Sequence, residues 1–160
     1  MGKDKKKKSG KGSSRKFSSG RIAVIVSRFN SEVTHGLLKG AMSVLTGSGI
    51  AEQDVKVIEV PGAFEIPLTA KQLCRSGQYC GIICLGAVIK GETAHFEYIS
   101  DSVTRGIGKL TLEYNIPISF GVLTCYTDEQ AIKRSSPDDE NKGAEAARST
   151  LEMIDILKSI

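Results

Sequence analysis

A chain of 160 residues with 40% apolar and 25% charged side chains has the length and composition of one globular domain with its own core. No run of 18 apolar residues is present and the charged N-terminus lacks an apolar signal segment, so neither a membrane-spanning helix nor a secretory signal is expected. The net charge of +4 is uneven: residues 1–20 hold eight of the 22 basic side chains and one of the 18 acids, which leaves 21–160 with 14 and 17, or −3.

That imbalance argues against a nucleic-acid-binding domain, which carries its basic patch on the folded part. Residues 1–20, rich in Lys, Ser and Gly, bury too little apolar surface to offset the entropy of ordering and read as a disordered tail. A lysine run can attract RNA, anionic lipid or an acidic surface, or serve only as a solvated tail or an assembly arm. The four cysteines (Cys74, Cys80, Cys84, Cys125) have no CxxC spacing. Free thiols in a cytoplasmic protein are expected, with no disulfide and no metal site.

Residues 21–160 read as a single α/β domain. Arg21 to Ser27 is the first core strand, rich in β-branched residues. Asn30 or Ser31 can cap the following helix, which carries Val33, Leu37, Ala41, Val44 and Leu45 on one face and ends near Gly47-Ser48-Gly49. His35 on that helix reads as structural or solvent-exposed. Val55 to Val60 is the second strand, closed by Pro61-Gly62. A helix then starts at Ala63 to Pro67, with Leu68 and Leu73 supplying apolar surface and Gly77 stopping it.

The apolar run Ile82 to Ile89, bounded by glycines, reads as a strand buried on both faces of a parallel sheet. The polar stretch Lys90-Gly91-Glu92-Thr93 follows, then His95. Phe96, Ile99, Val103, Ile107, Leu110 and Tyr114 recur at helical spacing. Pro117 to Leu123 is the fourth strand, with a loop from Thr124. Asp128 can cap a short helix, Glu129 to Arg134. After the polar break Ser135 to Glu140, the last helix starts near Asn141 with Ala144, Ala147, Leu151, Ile154 and Leu157 as its buried stripe. Alternating strands and helices predict a flavodoxin-like three-layer α/β/α sandwich around a four-stranded parallel sheet.

In this topology the carboxyl ends of the strands share one edge. They bring Phe29-Asn30, Ala63-Phe64-Glu65, Lys90 to His95 and Cys125 to Asp128 together, with Arg134 and Lys142 beyond. An aromatic ring, an acid, a histidine and two cations suit an aromatic heterocycle with hydroxylated decoration, together with an anionic second ligand. Dull alternatives stand beside each: Phe29 as a core aromatic, Glu65 as a charge complementing a helix dipole, Arg134 and Lys142 as solvated surface cations. The chain has no GxGxxG, GxxxxGK[ST], GxSxG or HExxH pattern. The residues alone stop at an α/β enzyme with a His-centred site for a phosphorylated ligand.

Five stretches carry a resemblance: SRFN (27–30), VPGAFEIP (60–67), LGAVIKGETAHFEYI (85–99), FGVLT (120–124) and NKGAEAA (141–147). In order and in wording they closely resemble the lumazine synthase family, over roughly residues 21–158. The resemblance implies condensation of 5-amino-6-(D-ribitylamino)uracil with 3,4-dihydroxy-2-butanone 4-phosphate to 6,7-dimethyl-8-ribityllumazine, without a metal or redox cofactor. By position it assigns Phe29 and Asn30 to the pyrimidine, and Ala63, Phe64 and Glu65 to the ribityl chain. Ala87, Val88 and Ile89 would hold the uracil edge. Gly91, Glu92 and Thr93 would form the turn near the phosphate, and His95 would transfer protons.

Phe120, Arg134 and Lys142 correspond to residues that a neighbouring subunit contributes, Phe120 and Lys142 to the pyrimidine and ribityl substrate and Arg134 as the main phosphate partner. The resemblance therefore implies a homo-oligomer, a pentamer at least, with sites shared between adjacent subunits. Shell-forming members usually carry a Gly-Thr/Gly-Lys-type turn between the last two helices, where this chain has Ser135 to Glu140, a departure that argues against a shell. A non-catalytic flavin- or lumazine-binding relative is the rival reading, one that has no use for a phosphate site.

Overall fold

The computed structural model describes residues 20–160; the basic tail predicted for 1–20 otherwise lies outside the described residues. The order is β1 (Arg21–Ser27), α1 (Ser31–Gly47), β2 (Val55–Val60), α2 (Ile66–Ser76), β3 (Tyr79–Ile89), α3 (His95–Tyr114), β4 (Ile118–Cys125), α4 (Asp128–Ser135) and α5 (Lys142–Ser159). Short 3₁₀ turns precede β2 and α2. The strands form one parallel sheet in the order β2-β1-β3-β4.

Two apolar cores lie on the two faces of this sheet, because β1 and β3 are apolar on both sides. On one face Ile22, Val24, Ile83 and Leu85 meet Leu37, Ala41 and Leu45 of α1 and Ala147, Leu151 and Ile154 of α5. On the other, Ala23, Ile25, Ile82 and Cys84 meet Ile66 and Ala70 of α2 and Val103, Ile107 and Leu110 of α3. This is the predicted three-layer sandwich. The chain turns outward from β1 to β2, then returns to place β3 on the other side of β1. The resulting switch point between β1 and β3 opens a crevice at their carboxyl ends.

Several local expectations give way to tertiary packing. Asn30 precedes α1 but does not cap it through its side chain; it holds a left-handed backbone (φ 58°) and donates elsewhere. The helix expected from Ala63 begins as a 3₁₀ turn and becomes α-helical at Ile66. Leu68 faces solvent, and α2 is anchored instead by Ile66, Ala70 and Cys74. Thr124 and Cys125 belong to β4 rather than to the loop beyond it. Thr127, not Asp128, caps α4, its side chain accepting from the Gln130 N–H at 3.2 Å. Leu157 is 41% exposed and falls outside the buried stripe, which ends at Ile154.

Candidate active site

A cavity of about 560 Å³ sits at the switch point, within the usual size range of small-molecule sites. Its floor is Ala87, Val88 and Ile89 at the end of β3, and its walls are Phe29, Pro61 to Glu65 and the start of α3 with His95, Phe96 and Ile99. Strand lengths explain the floor. Pairing between β1 and β3 ends at Val26 and Leu85, while β3 continues alongside β4 to Ile89 and Cys125. The side of Ala87–Ile89 that faces β1 has therefore lost its ladder partner, and such backbone groups need others. Asn30 Nδ2 takes one of them, donating to the Ala87 carbonyl at 3.0 Å.

Phe29 is 71% exposed, so it is not a core aromatic. Phe64, 57% exposed, stands at the same rim. Glu65 closes the turn over Gly62, its Oε2 accepting from the Gly62 N–H at 2.9 Å, and it lines the cavity as well. His95 is the first residue of α3 and is exposed at the cavity mouth, its backbone N–H directed at Thr93 Oγ1 at 3.4 Å. Gly91 and Thr93 also line the cavity, whereas Glu92 and Asn30 do not line it.

Lys90 is drawn off the site into a structural cluster. Its Nζ pairs with Glu97 Oε1 at 2.6 Å and lies 5.7 Å from the ring centres of both Phe96 and Tyr126. The hydrogen bond to Glu97 raises the Lys90 ammonium above its ordinary pKa, and the same bond holds the Glu97 carboxyl below its own.

A second cavity, of about 310 Å³, runs along β4 and the start of α5. Phe120, Arg134 and Lys142 line it together with Cys125, Glu145 and Ser149. Arg134 is half-buried, one terminal nitrogen donating to the Gln130 carbonyl at 3.0 Å, and Lys142 is paired with Glu145. Burial pushes the neighbouring Cys125 thiol up, with the Arg134 charge opposing. No residue lines both cavities. Within one chain, the histidine and the two cations thus stand in separate places.

The family model for 6,7-dimethyl-8-ribityllumazine synthase matches residues 19–158. The chain belongs to this family. Lumazine synthases are transferases that act on small molecules and form 6,7-dimethyl-8-ribityllumazine in riboflavin biosynthesis, and that is the function of this chain. The 6,7-dimethyl-8-ribityllumazine synthase 1 of Caulobacter vibrioides is 53% identical over 140 residues, covering 88% of this chain and 92% of that protein. Among solved structures, an acetyl xylan esterase covers 86% of this chain and 74% of its own at 10% identity and a TM-score of 0.40, too weak a likeness to carry an argument. Among the described residues no helix is long and apolar enough to cross a membrane. All four cysteines are free.

Viewed as a lumazine synthase site, the first cavity includes Pro61, Gly62, Phe96 and Ile99, which sequence reasoning did not place there. Phe96 and Ile99 were legible as a helical stripe. Both also belong to the core on the α2–α3 face of the sheet, and the stripe signal does not say that the first turn of such a helix reaches the crevice as well.

Proposed function

We propose that the crevice over β1 and β3 holds 5-amino-6-(D-ribitylamino)uracil and that Phe120, Arg134 and Lys142 of an adjacent copy complete it, with Arg134 taking the phosphate of 3,4-dihydroxy-2-butanone 4-phosphate. One observation carries this reading: the site residues sort into two cavities with none in common, and each cavity alone lacks half the chemistry. A pentamer or a multiple of it would join one copy's β4 cavity to its neighbour's crevice.

The geometry supports the roles that the family resemblance implies. Phe29, an aromatic face left in water, is free to stack on the pyrimidine. The unladdered backbone at Val88 and Ile89 offers donors and acceptors to the uracil edge. Glu65 has one oxygen held by Gly62, which leaves the other for ribityl hydroxyls. The 5-amino group attacks the ketone, and loss of one water gives an imine. His95 moves the protons of this step and removes the one whose departure permits phosphate elimination. Arg134 presents a planar fork to the leaving phosphate, aided by the N–H groups at the start of α3 beside Gly91 and Thr93. The ribityl-bearing nitrogen then closes the ring and a second water leaves. Holding the two reactants in register supplies up to roughly 7–11 kcal/mol of the acceleration.

The test mixes two defective chains. His95→Ala and Arg134→Ala homo-oligomers are each expected to be impaired. Dissociated and reassembled together, they form some sites with an intact half from each chain, and lumazine formation recovers. A co-assembled mixture that stays at the level of the separate variants overturns the shared site.

A further inference from the structure

Arg134 ends one helix and Lys142 begins the next, so something must fix the spacing between a guanidinium and an ammonium separated by an irregular turn. The turn itself is polar and exposed from Pro137 to Glu140. The group that organises it is Asn141, 2% exposed. Its Nδ2 donates to the carbonyls of Ser135 (3.0 Å), Ser136 (2.9 Å) and Gly36 (3.1 Å), three acceptors sharing one amide group. Its Oδ1 accepts from the Ala144 N–H at 3.0 Å, capping α5. One buried amide thus ties the end of α4 to the first turn of α5 and both to α1.

Three glycines allow the approach. A Cβ on Gly36 would collide with the Ser135 carbonyl oxygen, one on Gly40 with the Asn141 amide, and one on Gly143 with the Leu37 carbonyl oxygen. The corner between the helices is therefore seated against the bare backbone of α1.

We propose that Asn141 is a positioning residue for phosphate recognition: it touches no substrate, and by clasping α4 to α5 it holds Arg134 where the phosphate must meet it, at a fixed spacing from Lys142. The inference rests on the reading of the β4 cavity given above. An Asp at this position keeps the acceptor for Ala144 but replaces the donor with an oxygen aimed at three carbonyls, so the corner opens while the α5 cap survives. A displacement near 1 Å at a binding group costs up to about a hundredfold.

The test is steady-state kinetics on folded, assembled Asn141→Asp, with inorganic phosphate as a competing probe. The expected result is a rise of about ten- to a hundredfold in both the KM for butanone phosphate and the inhibition constant of phosphate, with the KM for the pyrimidine changed far less. Gly40→Ala, which presses on the same amide from α1, should give the same selective pattern. Unaltered phosphate constants in either folded variant overturn the proposal. A purely structural Asn141 would lower the folded fraction and leave these constants alone.

Coupling between sites is reciprocal, which gives a measurement on the native chain. Saturating inorganic phosphate should slow hydrogen exchange at the Ala144 amide, and an unaffected amide also overturns the proposal. Arg134→Ala separates the two levels. If it binds phosphate as the native enzyme does, the assignment of the cavity fails; if it loses phosphate while Asn141→Asp does not, the clasp alone fails.

Discussion

Asn30 Nδ2 reaches across the switch point to the Ala87 carbonyl at 3.0 Å, linking residues 57 positions apart in sequence at the two strand ends that frame the crevice. Asn30 does this from a left-handed backbone, a conformation asparagine tolerates better than most residues. Asn30→Ala loses the bond and strains the backbone, which together should lower stability by about 2–3 kcal/mol. Asn30→Gly relieves the strain and loses only the bond, about 1 kcal/mol. Chemical denaturation of the pair separates the two effects; equal losses would mean that the backbone angle carries no cost.

His95 is exposed and its side chain makes no hydrogen bond among the described residues. Its removal should therefore leave the thermal midpoint nearly unchanged while kcat falls by about 10- to 1,000-fold, as for a proton-transfer group working beside a large proximity effect. Arg134→Ala should instead raise the KM for butanone phosphate, with Arg134→Lys recovering only part of it because an ammonium cannot reproduce the fork. An unchanged KM removes Arg134 from the phosphate role.

The Lys90–Glu97 pair makes a pH prediction. Glu97 is held below its ordinary value, so its contribution is complete above the normal carboxylate range and fades as the pH drops through the lowered pKa. Lys90 is raised, so its contribution is complete below the normal lysine value and fades as the pH climbs through the raised one. The pair operates across the whole span between, and its exposure keeps it small. In Lys90→Met, the Glu97 carboxyl should titrate at higher pH by NMR. A midpoint that does not move would mean the bond is absent in solution.

Two glycine-to-alanine changes should differ in sign. Gly108 lies on α3 with open space where a Cβ would go, so Gly108→Ala should stabilise by about 0.5–1 kcal/mol through helix propensity alone. Gly143→Ala, in the first turn of α5, gains less from propensity, and its Cβ meets the Leu37 backbone, which cannot rotate away. Overpacking typically costs about 1–3 kcal/mol, and rigid backbone puts this case at the upper end, for a net loss of about 2 kcal/mol. Thermal melts of the two variants check the contrast.

The central strands were legible as unbroken apolar runs such as Ile22 to Val26, and the helical stripes because burial on one face has a period, as Val103, Ile107 and Leu110 show without reference to anything distant. Phe29 shows the limit. An isolated aromatic at a strand end has the same local signal whether it enters the core or a crevice, and only the early end of β1 decides. Asn30 and Asn141 show another: both resemble helix caps, but Asn30 spends its amide on a partner 57 positions away. Thr127 outcompeted Asp128 as a cap because the chain enters α4 one residue earlier than the charge suggested. Motif resemblance reached further than periodicity, since it assigned Arg134 and Lys142, which lie on no strand end, to the site of a neighbouring subunit.

The bare-backbone joint between α1 and α5 has a mechanical consequence. Ordinary helix packing absorbs small shifts by letting side chains change rotamer, and a seam of Gly36, Gly40 and Gly143 contains no such slack. A shift of the outer surface of α1 would therefore reach the opening turn of α5 with little taken up at this seam, as through a bracket, and carry the cation at its tip.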